Sequence, residues 1–79
     1  MSTTAIIVAL FAGLIACEEH AYATGRIGQQ DAQVCIAIYE NLKIEVADGD
    51  YVKYRIWRSE NEEVLREFIE SEKARAETF

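Results

Sequence analysis

The sequence predicts an α+β domain in which a helical hairpin, a β-hairpin and a C-terminal helix follow in the order α-α-β-β-α around one small core. Three observations carry that prediction. An apolar first stretch is followed by a segment with helical spacing, apolar and polar residues alternate on both sides of Asp48-Gly49-Asp50, and a capping-box pattern at Ser59–Glu62 precedes a last amphipathic run. The 79 residues read as a single domain, 1–79, without linker, repeat or low-complexity segment. A chain of this size buries only about 60% of the surface that its unfolded form exposes, so its core is marginal. With 51% hydrophobic residues and no proline, it is neither a disordered chain nor a polyproline one.

Residues Ala5 to Cys17 form a run of 13 without a polar side chain. At about 1.5 Å per residue this covers roughly 20 Å, short of a hydrocarbon core of about 30 Å. The expectation is a buried helix, capped by Thr3 or Thr4 and ended by Gly25 at C′. Ala5, Ala9, Gly13, Cys17 and Ala21 recur as a small-residue stripe that admits close packing. Ile7, Leu10, Phe11, Leu14 and Ile15 supply core. Two alternatives stand beside the helix: a strand start at Ile6-Ile7-Val8, and a signal or anchor segment. Leu14-Ile15-Ala16-Cys17 looks like a bacterial lipobox, but Met1-Ser2-Thr3-Thr4 lacks the positive charge of a signal n-region.

Gly25-Arg26-Ile27-Gly28 reads as a tight connector. Beyond it Ala32, Cys35, Ile36, Tyr39 and Leu42 follow helical spacing, although Val34, Ile36 and Ile38 also alternate. Helices joined by so short a loop lie antiparallel, which brings Cys17 level with Cys35. That permits a disulfide; in a cytosolic protein the default is two reduced, buried thiols.

From Leu42 to Arg58 the alternation predicts a β-hairpin around Asp48-Gly49-Asp50. Facing parity sets Ile44 against Tyr54, Val46 against Val52 and Glu45 against Lys53 through a three-residue loop. Ser59 then caps a helix that carries Val64, Leu65, Phe68 and Ile69 on one side and covers the hairpin.

The catalytic inventory is thin: one histidine, and no nucleophile elbow, phosphate loop or CxxC. The expectation is a non-enzyme without metal or cofactor. A redox or zinc reading would use Cys17, His20 and Cys35 with Glu18, Glu19 or Asp31, at spacings that match no recognised signature.

Charge is more informative. The net −6 opposes direct nucleic-acid binding. Glu60 to Glu72 holds six acids and one base, whereas Tyr51 to Arg58 holds three bases and no acid. The expected picture is an acidic helix beside a basic, aromatic strand face of Tyr51, Lys53, Arg55 and Trp57. Local ion pairs at Glu62–Arg66, Glu63–Arg66, Glu70–Lys73 and Glu72–Arg75 offset part of the acidity and leave Glu60, Glu67 and Glu77 unpaired. The partner-binding candidates are Glu60, Glu63, Glu67 and Glu70, with Tyr51 and Trp57 as neutral anchors.

In size, acidity and lack of catalytic motifs the chain resembles the anti-CRISPR proteins of phages and mobile elements. The segment Asp48-Gly49-Asp50-Tyr51-Val52-Lys53-Tyr54 is similar to parts of some members, and the acid-rich last helix is similar to the DNA-mimicking ones. The resemblance implies a cytoplasmic, non-enzymatic inhibitor in a bacterial host. It would dock on a basic DNA-binding surface of a CRISPR effector subunit and block target DNA; apart from the resemblance, a monomer is the expected state. The alternative class is a small membrane-associated subunit or lipoprotein anchored by residues 5–17.

Overall fold

The computed structural model describes residues 3–25 and 28–77. Three helices form from them: α1 at Thr3–Thr24, α2 at Gln29–Ala47 and α3 at Tyr51–Glu77. Arg26 and Ile27 of the expected connector, and Met1 and Ser2 ahead of α1, lie outside the described residues.

The first half follows the expectation except at its start, where Thr3 and Thr4 lie within α1 instead of capping it. Gly25, at φ 75°, ends α1 with its N–H donating to the Ala21 carbonyl at 2.9 Å. The small-residue stripe faces α2 over its C-terminal half: a Cβ on Gly13 would stand 3.3 Å from Ile38 Cδ1, and Cys17 is joined to Cys35. These contacts pair rising positions on α1 with falling ones on α2, so the two helices are antiparallel. Two details differ. Ile36 is exposed, and the inner face of α2 runs through Ala32, Cys35, Ile38, Tyr39 and Leu42. The two thiols are not reduced; they are bonded, with Cα atoms 6.0 Å apart. Closing a loop of this length contributes about 3 kcal/mol by the chain-entropy account.

The second half overturns the α+β prediction. The described residues contain no strand, and the protein is all-helical. Leu42–Ala47 continues α2, and Tyr51–Arg58 opens α3, so the Ile44–Tyr54, Val46–Val52 and Glu45–Lys53 pairings do not exist. Asp48-Gly49-Asp50 is instead a helix–helix connector. Asp48 and Gly49 take positive φ of 53° and 82°, and their N–H groups donate to the carbonyls of Ile44 and Lys43. Asp50 caps α3: its Oδ1 accepts the Lys53 N–H at 2.9 Å. The capping box at Ser59 fails for the same reason. Ser59 sits inside α3 and donates to the Ile56 carbonyl, three residues back, at 2.9 Å.

Period 3.6 outcompetes period 2 here because it runs into the apolar stripe of the residues that follow. As a strand, 51–58 would hide Val52, Tyr54 and Ile56. As a helix it joins Tyr54, Trp57 and Arg58 to Asn61, Leu65 and Ile69 in one continuous stripe against α1 and α2. An isolated two-stranded hairpin would also leave edge groups unpaired. The cost is visible: Val52 and Ile56 stay 64% and 54% exposed.

The core is Phe11, Leu14 and Ile15 from α1, Leu42 and Ala47 from α2, and Tyr54 from α3. Phe11 and Leu42 are fully buried. Trp57 packs edge-on to Phe11 at 6.0 Å and stacks with Tyr54, whose ring meets Tyr39 edge-on at 5.1 Å.

At 22 residues α1 spans about 33 Å, longer than its apolar run suggested because Glu18-Glu19-His20 continues the helix. By length and composition it is long and apolar enough to cross a membrane.

Candidate functional site

The 27-residue α3 supplies every partner-binding candidate. Glu60, Glu63, Glu67 and Glu70 recur at i, i+3, i+7 and i+10, which a helix gathers within about 80° of arc and about 15 Å of length. All four are exposed, on the side of α3 opposite Tyr54, Leu65 and Ile69.

The charge of Glu60, Glu63 and Glu67 stands uncompensated because Arg58 and Arg66 of the same helix are engaged with carboxylates outside the stripe. Arg58 donates to both carboxylate oxygens of Glu18 at 2.8 and 2.7 Å, to Glu62 at 3.0 and 2.7 Å, and to the Tyr54 hydroxyl at 3.2 Å. Its guanidinium lies 5.6 Å from the Phe11 ring centroid. Arg66 reaches Glu62 at 3.4 Å and Glu19 at 3.9 Å, and so leaves Glu63 without the ion pair expected from sequence. Glu70–Lys73 and Glu72–Arg75 do form, at 3.9 and 3.5 Å. Among the described residues no ion pair reaches Glu60, Glu63 or Glu67.

The inward network shifts its own members. The fork with Glu18 holds the Arg58 guanidinium protonated more firmly than usual, against the opposing effect of burial. The hydrogen bonds from Arg58 hold the Glu62 carboxyl below the ordinary carboxylate range. Burial pushes the Tyr54 phenol up, partly offset by Arg58.

The aromatic anchors separate from the stripe. Tyr51, at the start of α3, is 56% exposed, with the Arg55 guanidinium 5.9 Å from its ring centroid. Nine residues of helix put it about half a turn round from Glu60. Trp57 is half-buried in the aromatic cluster rather than free on an outer face. The basic strand face dissolves in the same way, with Lys53, Arg55 and Arg58 pointing to different sides.

Sequence reasoning misplaced the apolar residues around the acids, with Val52 paired in a hairpin and Val64 and Phe68 on the covered side of the last helix, whereas all three are exposed. Val52 and Ile56 precede the stripe on its own side, and Val64 and Phe68, 67% and 49% exposed, flank it. Their signal was the 52, 56, 64, 68 spacing in multiples of four, legible only once 51–77 is one helix. The residues of the zinc alternative do not form a ligand group. Cys17 and Cys35 are bonded to each other, and the described residues hold no group of three or more metal-ligating side chains.

The sequence matches no protein-family model, no curated protein and no solved structure, so no fold or function is lent to it by likeness.

Proposed function

We propose that this protein is a non-enzymatic inhibitor that presents the acidic outer face of α3 to a basic protein surface. On the resemblance given above, that surface is a DNA-binding groove of a CRISPR effector subunit in the bacterial cytoplasm. The observation that carries the reading is the exposed stripe Glu60–Glu63–Glu67–Glu70, in which Glu70 pairs with Lys73 and the other three stay negative because Arg58 and Arg66 are engaged with Glu18, Glu19 and Glu62. Four carboxylates over about 15 Å are sparser than the phosphates of a DNA strand, one per about 3.4 Å, so charge alone is a partial stand-in. Val52, Ile56, Val64 and Phe68 around them supply the apolar contact that a protein surface, and not a nucleic acid, rewards. Long-range attraction would speed encounter and fade with salt.

The test is target-DNA binding by a purified effector complex with and without the protein. Wild type should block it, and Glu63→Lys/Glu67→Lys should not, with the urea midpoint of the variant unchanged. Equal blocking by both proteins overturns the assignment.

The membrane-associated alternative rests on α1, whose length and composition suffice for a span. It predicts co-flotation with lipid vesicles and recovery only in detergent. A detergent-free monomer that stays with the aqueous fraction removes it.

A further inference from the structure

The Cys17–Cys35 bridge lies outside the core. Neither cysteine belongs to the cluster built on Phe11, Leu14, Ile15, Leu42, Ala47 and Tyr54, and both are only half-buried. Both line an open cavity of about 280 Å³, together with Ala16, His20, Asp31 and Val34. Ligand pockets start at roughly 300 Å³, so this one suits a very small molecule. His20 follows Cys17 by three residues, a spacing that puts the two side chains side by side on α1. Four residues before Cys17, Gly13 packs against Ile38 of α2, and Phe11, Leu14 and Ile15 of α1 share the core with Leu42 of α2, so the two helices are held together independently of the bridge. The fold therefore has means to hold the two sulfurs near one another when the bond between them is open.

We propose that this bridge is an exchange-active disulfide whose substrate is a small aminothiol admitted to the cavity, with His20 supplying the proton that the departing sulfur needs. The thiolate of the incoming thiol attacks the Cys35 sulfur. The S–S bond breaks with its electron pair on the Cys17 sulfur, which takes a proton from the His20 imidazolium; the proton released by the incoming thiol recharges the imidazole through solvent. A second thiol attacks the mixed disulfide on Cys35. Two thiols thereby become one small-molecule disulfide, and two electrons reduce the bridge to two protein thiols. The substrate class follows from charge. Asp31, the one carboxylate on the cavity wall among the described residues, balances the His20 imidazolium there, and the chain's net −6 then decides, so a cationic aminothiol enters more readily than an acidic thiol.

The experiment uses the oxidised full-length protein with cysteamine, 2-mercaptoethanol and mercaptoacetate, following mixed-disulfide formation by acid-quenched mass spectrometry. The expected rate is proportional to thiol concentration. It should exceed that of a linear peptide disulfide several-fold with cysteamine and least with mercaptoacetate. Asp31→Asn should narrow the spread between those two thiols, and His20→Gln should slow all three, with added imidazole restoring the rate. Circular dichroism of the reduced protein should remain helical. A rate that does not depend on thiol concentration would mean that the bridge opens only when the protein unfolds, and would overturn the proposal. Reactivity no greater than the peptide's, or unchanged in His20→Gln, would overturn it equally.

Discussion

Replacing Arg58 by Met keeps most of the aliphatic stem and deletes the charge that joins α1 to α3. Wild-type Arg58 serves two carboxylates and is 22% exposed, while Glu62 and Glu18 are 33% and 43% exposed. A hydrogen bond to a charged group contributes about 1.5–3 kcal/mol when buried, and an exposed ion pair about 0–1 kcal/mol. These partly screened pairs fall between the two limits, at about 1 kcal/mol for each carboxylate. Loss of the cation over Phe11 adds about 0.5 kcal/mol. Glu18 and Glu62, which now share one guanidinium, would face each other as like charges. The sum is a loss of about 3 kcal/mol, against a total stability of about 4–12 kcal/mol for a domain of this length. Thermal midpoint should fall by about 12–24 °C. Arg58→Lys, which keeps the charge without the fork, should recover only part of this. Urea unfolding by circular dichroism reads the change, and a double-mutant cycle with Glu18→Gln isolates the inter-helix pair, expected at about 1 kcal/mol. A loss under about 0.5 kcal/mol with no coupling would show that the network is a solvated surface pair, and would refute both the clamp and the account of why the outer acids stay uncompensated.

Acid should destabilise the protein in a way that Glu62 dominates. Its carboxyl is held below the ordinary range by Arg58, so its contribution is complete above the unfolded-state value and is lost as pH falls through the lowered folded value; Glu62→Gln should flatten urea midpoints measured across that acid window. Gly13→Ala should stabilise by about 0.5 kcal/mol, since helix propensity favours Ala by about 1 kcal/mol and the Ile38 Cδ1 that meets the new methyl is a side-chain end that has to give by only a few tenths of an ångström. Gly49→Ala, at φ 82° in open space, should destabilise by about 1 kcal/mol, and equal thermal midpoints for these two variants would contradict the connector geometry.

The helical hairpin was legible because its signals were local. Gly25 terminates α1 where a left-handed residue was expected, and the four-residue recurrence of small side chains faces a neighbouring helix. The acidic stripe was legible too, since its spacing holds in any helix that contains 60–70. The stretch from Leu42 to Arg58 misled because short alternating runs satisfy both periods: Leu42 and Val46 are as good a helical pair as they are members of a strand. Asp-Gly-Asp is equally ambiguous, since a left-handed cap, a glycine and an N-cap residue spell the same letters as a hairpin loop. One signal pointed the right way. No glycine or proline interrupts 29–48 or 50–77, which suits two long helices better than a domain with an extra turn at Ser59.

By itself, then, the amino-acid order determined the properties that depend on near neighbours: the acidity, the first helix and its glycine stop, and the grouping of Glu60, Glu63, Glu67 and Glu70. Only tertiary structure decided that 51–77 is one helix, that Trp57 is core, and that Arg58 and Arg66 turn towards Glu18, Glu19 and Glu62. The physical reason is that these choices are made by competition for a buried surface some forty residues away in the chain, and no local window contains both competitors.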